Sequence, residues 1–150
     1  MVNEMSEIAA VRRLHFCAGH RGVGHEGKCA NVHGHNYVTF VHVQARASDL
    51  DGVGRIVDFG VIKDRVGGWI DDHWDHGFIY WRNDPQLAAL YAGPLATMKH
   101  FPAALNPTAE NMAAHLLGVA TELLVDDLLV TKVEIWETEN CYAYAMPEQV

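Results

Sequence analysis

The stretch Cys29-Ala30-Asn31-Val32-His33-Gly34-His35 runs without a break into Asn36-Tyr37-Val38-Thr39-Phe40-Val41-His42-Val43-Gln44. From His35 to Ala47, Tyr37, Thr39, Val41 and Val43 alternate against Val38, Phe40, His42 and Gln44, the period of two that marks a strand. On an extended backbone His33 and His35 project to the same face, so two imidazoles converge just downstream of the Cys29 thiol. A third imidazole, His20, follows Phe16-Cys17-Ala18-Gly19. Three neutral imidazoles with a free fourth position suit a catalytic zinc ion. The same donors with Cys29 as a ligand suit a closed structural zinc site, and among ten histidines a His-x-His pair also arises by chance.

Upstream, residues 1 to 6 read as a frayed end. Ile8 to Phe16 reads as a first strand, with Ala10, Arg12, Leu14 and Phe16 opposed to Val11, Arg13 and His15. Glycines 19, 22, 24, 27 and 34 punctuate the segment between the two strands, a loop suited to wrapping a ligand. Downstream, Asp58 is placed to cap a helix with apolar positions Phe59, Ile62, Val66, Trp69 and Ile70, ending at the run Asp71-Asp72-His73-Trp74-Asp75-His76-Gly77. Asp84-Pro85 predicts a short helix over Gln86 to Tyr91 inside a long irregular connection. Thr108 predicts the cap of a second long helix, with Met112, Leu116, Val119 and Leu123 as its stripe. After Asp126-Asp127, Thr131, Val133, Ile135 and Glu137 share a strand face, and a partner strand spans Cys141 to Met146. The expected architecture is α+β in the order ββααββ, an antiparallel four-stranded sheet with two long helices on one face.

A chain of 150 residues suits a single domain, 1–150. The net charge of −8 argues against nucleic acid and anionic membranes as partners, while leaving room for a small anionic substrate. Three cysteines without disulfide-like spacing, no basic-then-apolar N-terminal segment, and no apolar run near the ~20 residues of a membrane span lead to the expectation of a reduced, cytoplasmic protein.

The motifs Phe16-x-Ala18-x-His20, Gly27-Lys28-Cys29-x-x-x-His33-Gly34-His35-Asn36-Tyr37, Val57-Asp58-Phe59, Asp75-His76, Pro107-Thr108-Ala109-Glu110-Asn111 and Glu137-Thr138 occur in this order. Together they resemble the 6-pyruvoyltetrahydropterin synthase and 6-carboxytetrahydropterin synthase superfamily, from residue 16 to about 144. The three residues between Cys29 and His33 are similar to the bacterial carboxy branch of the queuosine (7-deazapurine) pathway. The resemblance implies a tunnelling fold (T-fold), in which trimers close their sheets into a barrel and two trimers stack as a homohexamer. It also implies the substrate 7,8-dihydroneopterin triphosphate, converted in the carboxy branch to 6-carboxy-5,6,7,8-tetrahydropterin, acetaldehyde and triphosphate. The pyruvoyl branch, which eliminates triphosphate but keeps the carbon chain, is the alternative. A noncatalytic zinc or pterin-binding module, or a zinc hydrolase, would need fewer of these residues.

By the same resemblance His20, His33 and His35 are the zinc ligands, and the catalytic residues are Cys29, Asp75 and His76. Glu137 is the pterin anchor; paired carboxylate oxygens suit the 2-amino and ring N–H edge. Thr108 and Glu110 line the same pocket, although capping alone explains Thr108, and helix-end solvation alone would explain Asp75 and His76. Lys28, Arg21 and His25 are the candidates for the triphosphate by charge and position. The family's Leu-Asp-His-x-x-Leu-Asn is here Trp74-Asp75-His76-Gly77-Phe78-Ile79-Tyr80, so the pair is kept and the later asparagine is not.

Overall fold

A computed structural model describes residues 5–124 and 128–149; residues 1–4 of the expected frayed end, and Asp126 and Asp127, lie outside the described residues. The elements in chain order are β1 (Glu7–His20), β2 (His33–Arg46), α1 (Phe59–Ile62), a π-helical turn (Lys63–Gly67), α2 (Gly68–His73), β3 (Gly77–Trp81), α3 (Pro85–Ala92), β4 (His100–Ala103), α4 (Ala109–Leu123), β5 (Leu129–Thr138) and β6 (Cys141–Ala145). Among the described residues no helix is long and apolar enough to cross a membrane.

The antiparallel ladder of β1 and β2 runs in one register from Glu7↔Arg46 to His20↔His33. β5 pairs antiparallel with β2, and β6 with β5, so the four expected strands are present. The sheet nevertheless has six strands, in the order β4-β3-β1-β2-β5-β6, which corrects the four-stranded antiparallel expectation. β3 joins the end of β1 in parallel, at Ala18↔Gly77 and Gly19↔Phe78, and β4 runs parallel to β3. Phe78-Ile79-Tyr80-Trp81 is a continuous apolar run without alternation, which periodicity alone does not assign to a strand. β4 contains Pro102, tolerated because β4 is the outermost strand on its side and needs no donor there.

The helices differ from expectation for packing reasons. Asp58 caps α1 as expected, accepting from the Gly60 N–H. Phe59, in the first turn, is nonetheless 51% exposed, and the buried stripe is Ile62, Val66 and Ile70. The first of the two expected long helices is thus a chain of three short segments, while α4 is a continuous helix of 15 residues. Its buried face is Ala109, Met112, Ala113, Leu116 and Ala120; small alanines let it lie close to the sheet, and Val119 and Leu123 are only half-buried. The core joins these faces to Leu14, Phe16, Tyr37, Val41, Val133 and Ile135, with the Phe16 and Tyr37 rings stacked at 4.9 Å. Each such side chain contributes roughly 1.5–3 kcal/mol by burial. The same alternation positions the site: beyond Phe16 and Ala18 comes His20, beyond Tyr37 come His35 and His33, and beyond Ile135 comes Glu137.

Candidate metal centre and proton-transfer pair

His20 and His33 are register partners at the open end of the β1–β2 ladder. The backbones approach so closely there that a Cβ on Gly34 would lie 2.8 Å from the Ala18 carbonyl oxygen, so only glycine fits between the two histidines of β2. His20 Nδ1 donates to the Pro107 carbonyl and His33 Nδ1 to the Asn31 carbonyl, both at 2.7 Å. A carbonyl only accepts, so each proton sits on Nδ1 and each Nε2 presents a bare lone pair. These two Nε2 atoms stand 3.1 Å apart. His35 Nε2 is buried beside them without a hydrogen-bond partner, and the three imidazoles offer ligand atoms within 4.8 Å of one another. Facing lone pairs at this distance repel unless a cation lies between them. Zinc–nitrogen bonds of ~2.0–2.1 Å in a tetrahedron put nitrogens about 3.3 Å apart, so these residues fit a metal ion.

The protonation states agree. Burial pulls His20 down to about 4 and the neighbouring His33 and His35 add to this, against the opposing effect of the Pro107 hydrogen bond. Burial also lowers His35, against Glu137, which raises it. Neutral imidazoles are what a metal requires. Glu137 extends its carboxylate into the group, with Oε1 4.0 Å from His20 Nε2 and Oε2 3.8 Å from His35 Nε2. Pro107, which holds His20, leads directly into α4, where Thr108 caps the helix by accepting from the Asn111 N–H and Glu110 is exposed in the first turn.

Cys29 lies half-buried on a single 3-10 turn, Lys28–Ala30, and its sulfur is outside the clustered ligand set among the described residues. The loop bearing it is fastened at several points: the Gly22 N–H donates to the Cys29 carbonyl at 2.8 Å, and Asn106 exchanges hydrogen bonds with the Val23 backbone at 3.1 and 2.9 Å. Arg21 donates from Nε and Nη2 to Asp84 at 2.7 and 2.8 Å, so it is committed to a buried carboxylate and not presented to a phosphate. The His25 ring accepts from the Gly27 N–H, and of the three triphosphate candidates Lys28 is left exposed on its turn.

Asp75 and His76 do form a pair: Asp75 Oδ2 accepts from His76 Nδ1 at 2.8 Å, and Oδ1 accepts from the Cys17 N–H at 2.9 Å. Burial raises the Asp75 carboxyl, but the Cys17 N–H, His76 and Lys99 together outweigh it and hold it below its ordinary value. His76 has φ 59, the only positive φ of a non-glycine residue among those described. Such a conformation costs of order 1–3 kcal/mol and is held here by the His76 N–H on the Cys17 carbonyl at 2.7 Å. His76 lines a cleft with Cys17, Gly19, Asn36 and Phe78, and His33 and His35 also border it. Cys17 and Gly19 alternate with Ala18 and His20, so the Cys17 side chain is directed away from the sheet face that carries the three imidazole rings. Within one chain Asp75 and His76 thus stand outside the three-imidazole group, tied to the backbone of Cys17.

Residues 9–148 match the sequence profile of the family described as 6-pyruvoyl tetrahydropterin synthase. The chain belongs to this family. Among relatives in sequence, the 6-carboxy-5,6,7,8-tetrahydropterin synthase of Rickettsia bellii is 37% identical over 137 residues, covering 90% of this chain and 97% of that protein. The protein of the same name from Aquifex aeolicus is 34% identical over 77% of this chain and 74% of its own. The family fold also recurs in solved structures. An uncharacterized protein from Wolinella succinogenes superposes with a TM-score of 0.84 at 22% identity over 95% of this chain and 99% of that one. The 6-pyruvoyl tetrahydropterin synthase of Caenorhabditis elegans gives 0.69 at 21% identity, covering 98% and 100%.

Sequence reasoning missed the groups that orient the imidazoles. The Pro107 and Asn31 carbonyls fix the tautomers, and a backbone acceptor leaves no mark in residue identity. Asp84 was legible as a helix cap, which it is, but not as the buried partner of Arg21. Lys99, whose ammonium donates to the Asp71 and Asp75 carbonyls, lies 24 residues from the pair it supports.

Proposed function

We propose that this protein is a zinc-dependent 6-carboxytetrahydropterin synthase of the cytoplasm, acting in queuosine-type 7-deazapurine biosynthesis. It takes 7,8-dihydroneopterin triphosphate to 6-carboxy-5,6,7,8-tetrahydropterin, acetaldehyde and triphosphate. The observation that carries the reading is the convergence of the imidazoles of His20, His33 and His35, with ligand atoms within 4.8 Å of one another, in a chain 37% identical to a protein of that name. Zinc, when bound, supplies a Lewis acid for the side-chain oxygens of the substrate and acidifies the adjacent C–H bonds. Cys29, on its fastened turn, exchanges a proton with the side-chain carbons. Asp75 holds the His76 proton on Nδ1, leaving Nε2 free on a ring that is 78% exposed, the disposition of a proton shuttle. Thr108, Glu110 and Lys28 line the substrate side. Glu137, the ring anchor by resemblance, stands at the metal's end of the pocket.

The separation of Asp75 and His76 from the three-imidazole group supports a homohexamer, a dimer of trimers. Among the described residues β1 is paired to β3 only at Ala18 and Gly19, so no strand covers most of its outer edge, nor that of β6. Further copies joining at these edges would carry the Asp75–His76 pair of one chain toward the imidazoles of another. The test is product analysis of the zinc-loaded protein with 7,8-dihydroneopterin triphosphate, with Cys29→Ala as control. Acetaldehyde and a carboxypterin, both abolished by the substitution, are expected. A pyruvoyl product would move the protein to the other branch, and bound pterin without turnover would make it a binding module.

A further inference from the structure

We propose that Glu137 is the fourth ligand of the metal in the substrate-free protein, an inference that rests on the reading of His20, His33 and His35 as metal ligands. Alternation along β5 places Val133, Ile135 and Glu137 on one face, and the register irregularity between Trp136 and Thr138 leaves Glu137 without a paired residue on β6. Its side chain is 25% exposed, and the described residues provide its carboxylate with no hydrogen-bond donor. Instead Oε1 faces His20 Nε2 at 4.0 Å and Oε2 faces His35 Nε2 at 3.8 Å. These separations are too long for hydrogen bonds. In addition, His20 has its proton on Nδ1, so its Nε2 has nothing to donate.

A carboxylate with no hydrogen-bond donor, directed at the bare Nε2 lone pair of His20 and at the unpartnered Nε2 of His35, is electrostatically unfavourable on its own. A divalent cation among the four groups converts every one of these repulsions into an attraction. Ligands on tetrahedral zinc lie about 3.3 Å apart, so a shift of roughly half an ångström brings a Glu137 oxygen to that spacing. Three imidazoles and one carboxylate then leave a net charge of +1 rather than +2 in a site where His20 is only 4% exposed. The fourth position is thus closed until a substrate oxygen displaces the carboxylate. Ligation of the metal and acceptance of a pterin N–H edge are alternative uses of the same side chain.

The test compares the full-length wild-type protein with Glu137→Gln and Glu137→Ala, each shown by circular dichroism to be folded without metal. Zinc affinity is measured by competition with a chromophoric chelator, and coordination by the visible spectrum after cobalt(II) substitution. The expected result is one metal per chain in the wild type, at least about tenfold weaker zinc binding in both variants, and an altered cobalt spectrum reporting a changed fourth ligand. Unchanged affinity together with an unchanged spectrum in Glu137→Gln would overturn the proposal and leave the three-imidazole site standing. Failure of the wild type to bind zinc or cobalt would overturn both.

Discussion

Replacing Asp84 by alanine tests the claim that the site is held from outside its own ligands. Asp84 is fully buried and accepts four hydrogen bonds, two from Arg21 and two from the Gln86 and Leu87 N–H groups at the start of α3. The Arg21 side chain is itself only 18% exposed. Asp84→Ala removes the helix cap, worth about 1 kcal/mol, and strands the guanidinium in a partly buried position, so a loss of roughly 3–5 kcal/mol is expected. With a urea slope of about 2 kcal/mol/M, the unfolding midpoint falls by roughly 1.5–2.5 M. Asp84→Asn, which keeps the volume and can still cap, loses less, and Arg21→Met on the Asp84→Ala background restores part of the loss. Arg21 follows His20 directly, so Asp84→Ala also weakens metal binding measured by chelator competition. A midpoint shift below about 0.5 M, with no coupling between the two positions, would show the pair to behave as a surface ion pair and refute the reasoning.

His20 is pulled from an ordinary 6.5 down to about 4, chiefly by burial, so the metal-free protein keeps its full contribution above about pH 6.5 and loses it as pH falls toward 4; the loss is roughly 3 kcal/mol. Urea midpoints of the metal-free protein at pH 7 and pH 4 measure it, and His20→Gln flattens the dependence. Gly34→Ala forces a Cβ to 2.8 Å from the Ala18 carbonyl oxygen, so the β1–β2 ladder opens where it carries the ligands; a loss of about 1–3 kcal/mol with weakened zinc binding is expected by thermal melting and metal titration. His76→Gly relieves a left-handed backbone worth about 1 kcal/mol, so thermal stability holds or rises while turnover is lost; a clear fall in stability would show that the side chain, not the backbone, holds this turn.

The parts of the fold and site legible in the sequence are those written in short-range periodicity. β1 and β2 were predicted because alternation persists along them, and the convergence of His33 and His35 follows from a period of two. The third imidazole, His20, meets them because β1 and β2 pair at His20↔His33, a consequence of the register that the hairpin sets. β3 and β4 were not legible, since each is four or five residues long and their parallel pairing depends on the path of the chain through α2 and α3. The π-helical turn was equally silent, since Ile62, Val66 and Ile70 fit a helix either way.

The two halves of the chemistry separate along the same line. The imidazoles and Glu137 lie on three strands whose alternating residues continue the apolar core face, so the metal end of the site is an extension of the core and inherits its rigidity. Asp75 and His76 instead sit at the turn between α2 and β3, tied to β1 through the backbone of Cys17 and supported by Lys99. A turn that stores left-handed strain at His76 is maintained only while those ties hold. The proposed proton-transfer half is therefore set by tertiary contacts that no local pattern encodes, and the role of Asp75-His76 was suggested in the sequence through resemblance. This predicts an asymmetry in mutational response. Substitutions at core-facing positions of β1, β2 and β5 lower metal affinity and stability together, whereas substitutions at Lys99 disturb the orientation of His76 with little effect on metal binding.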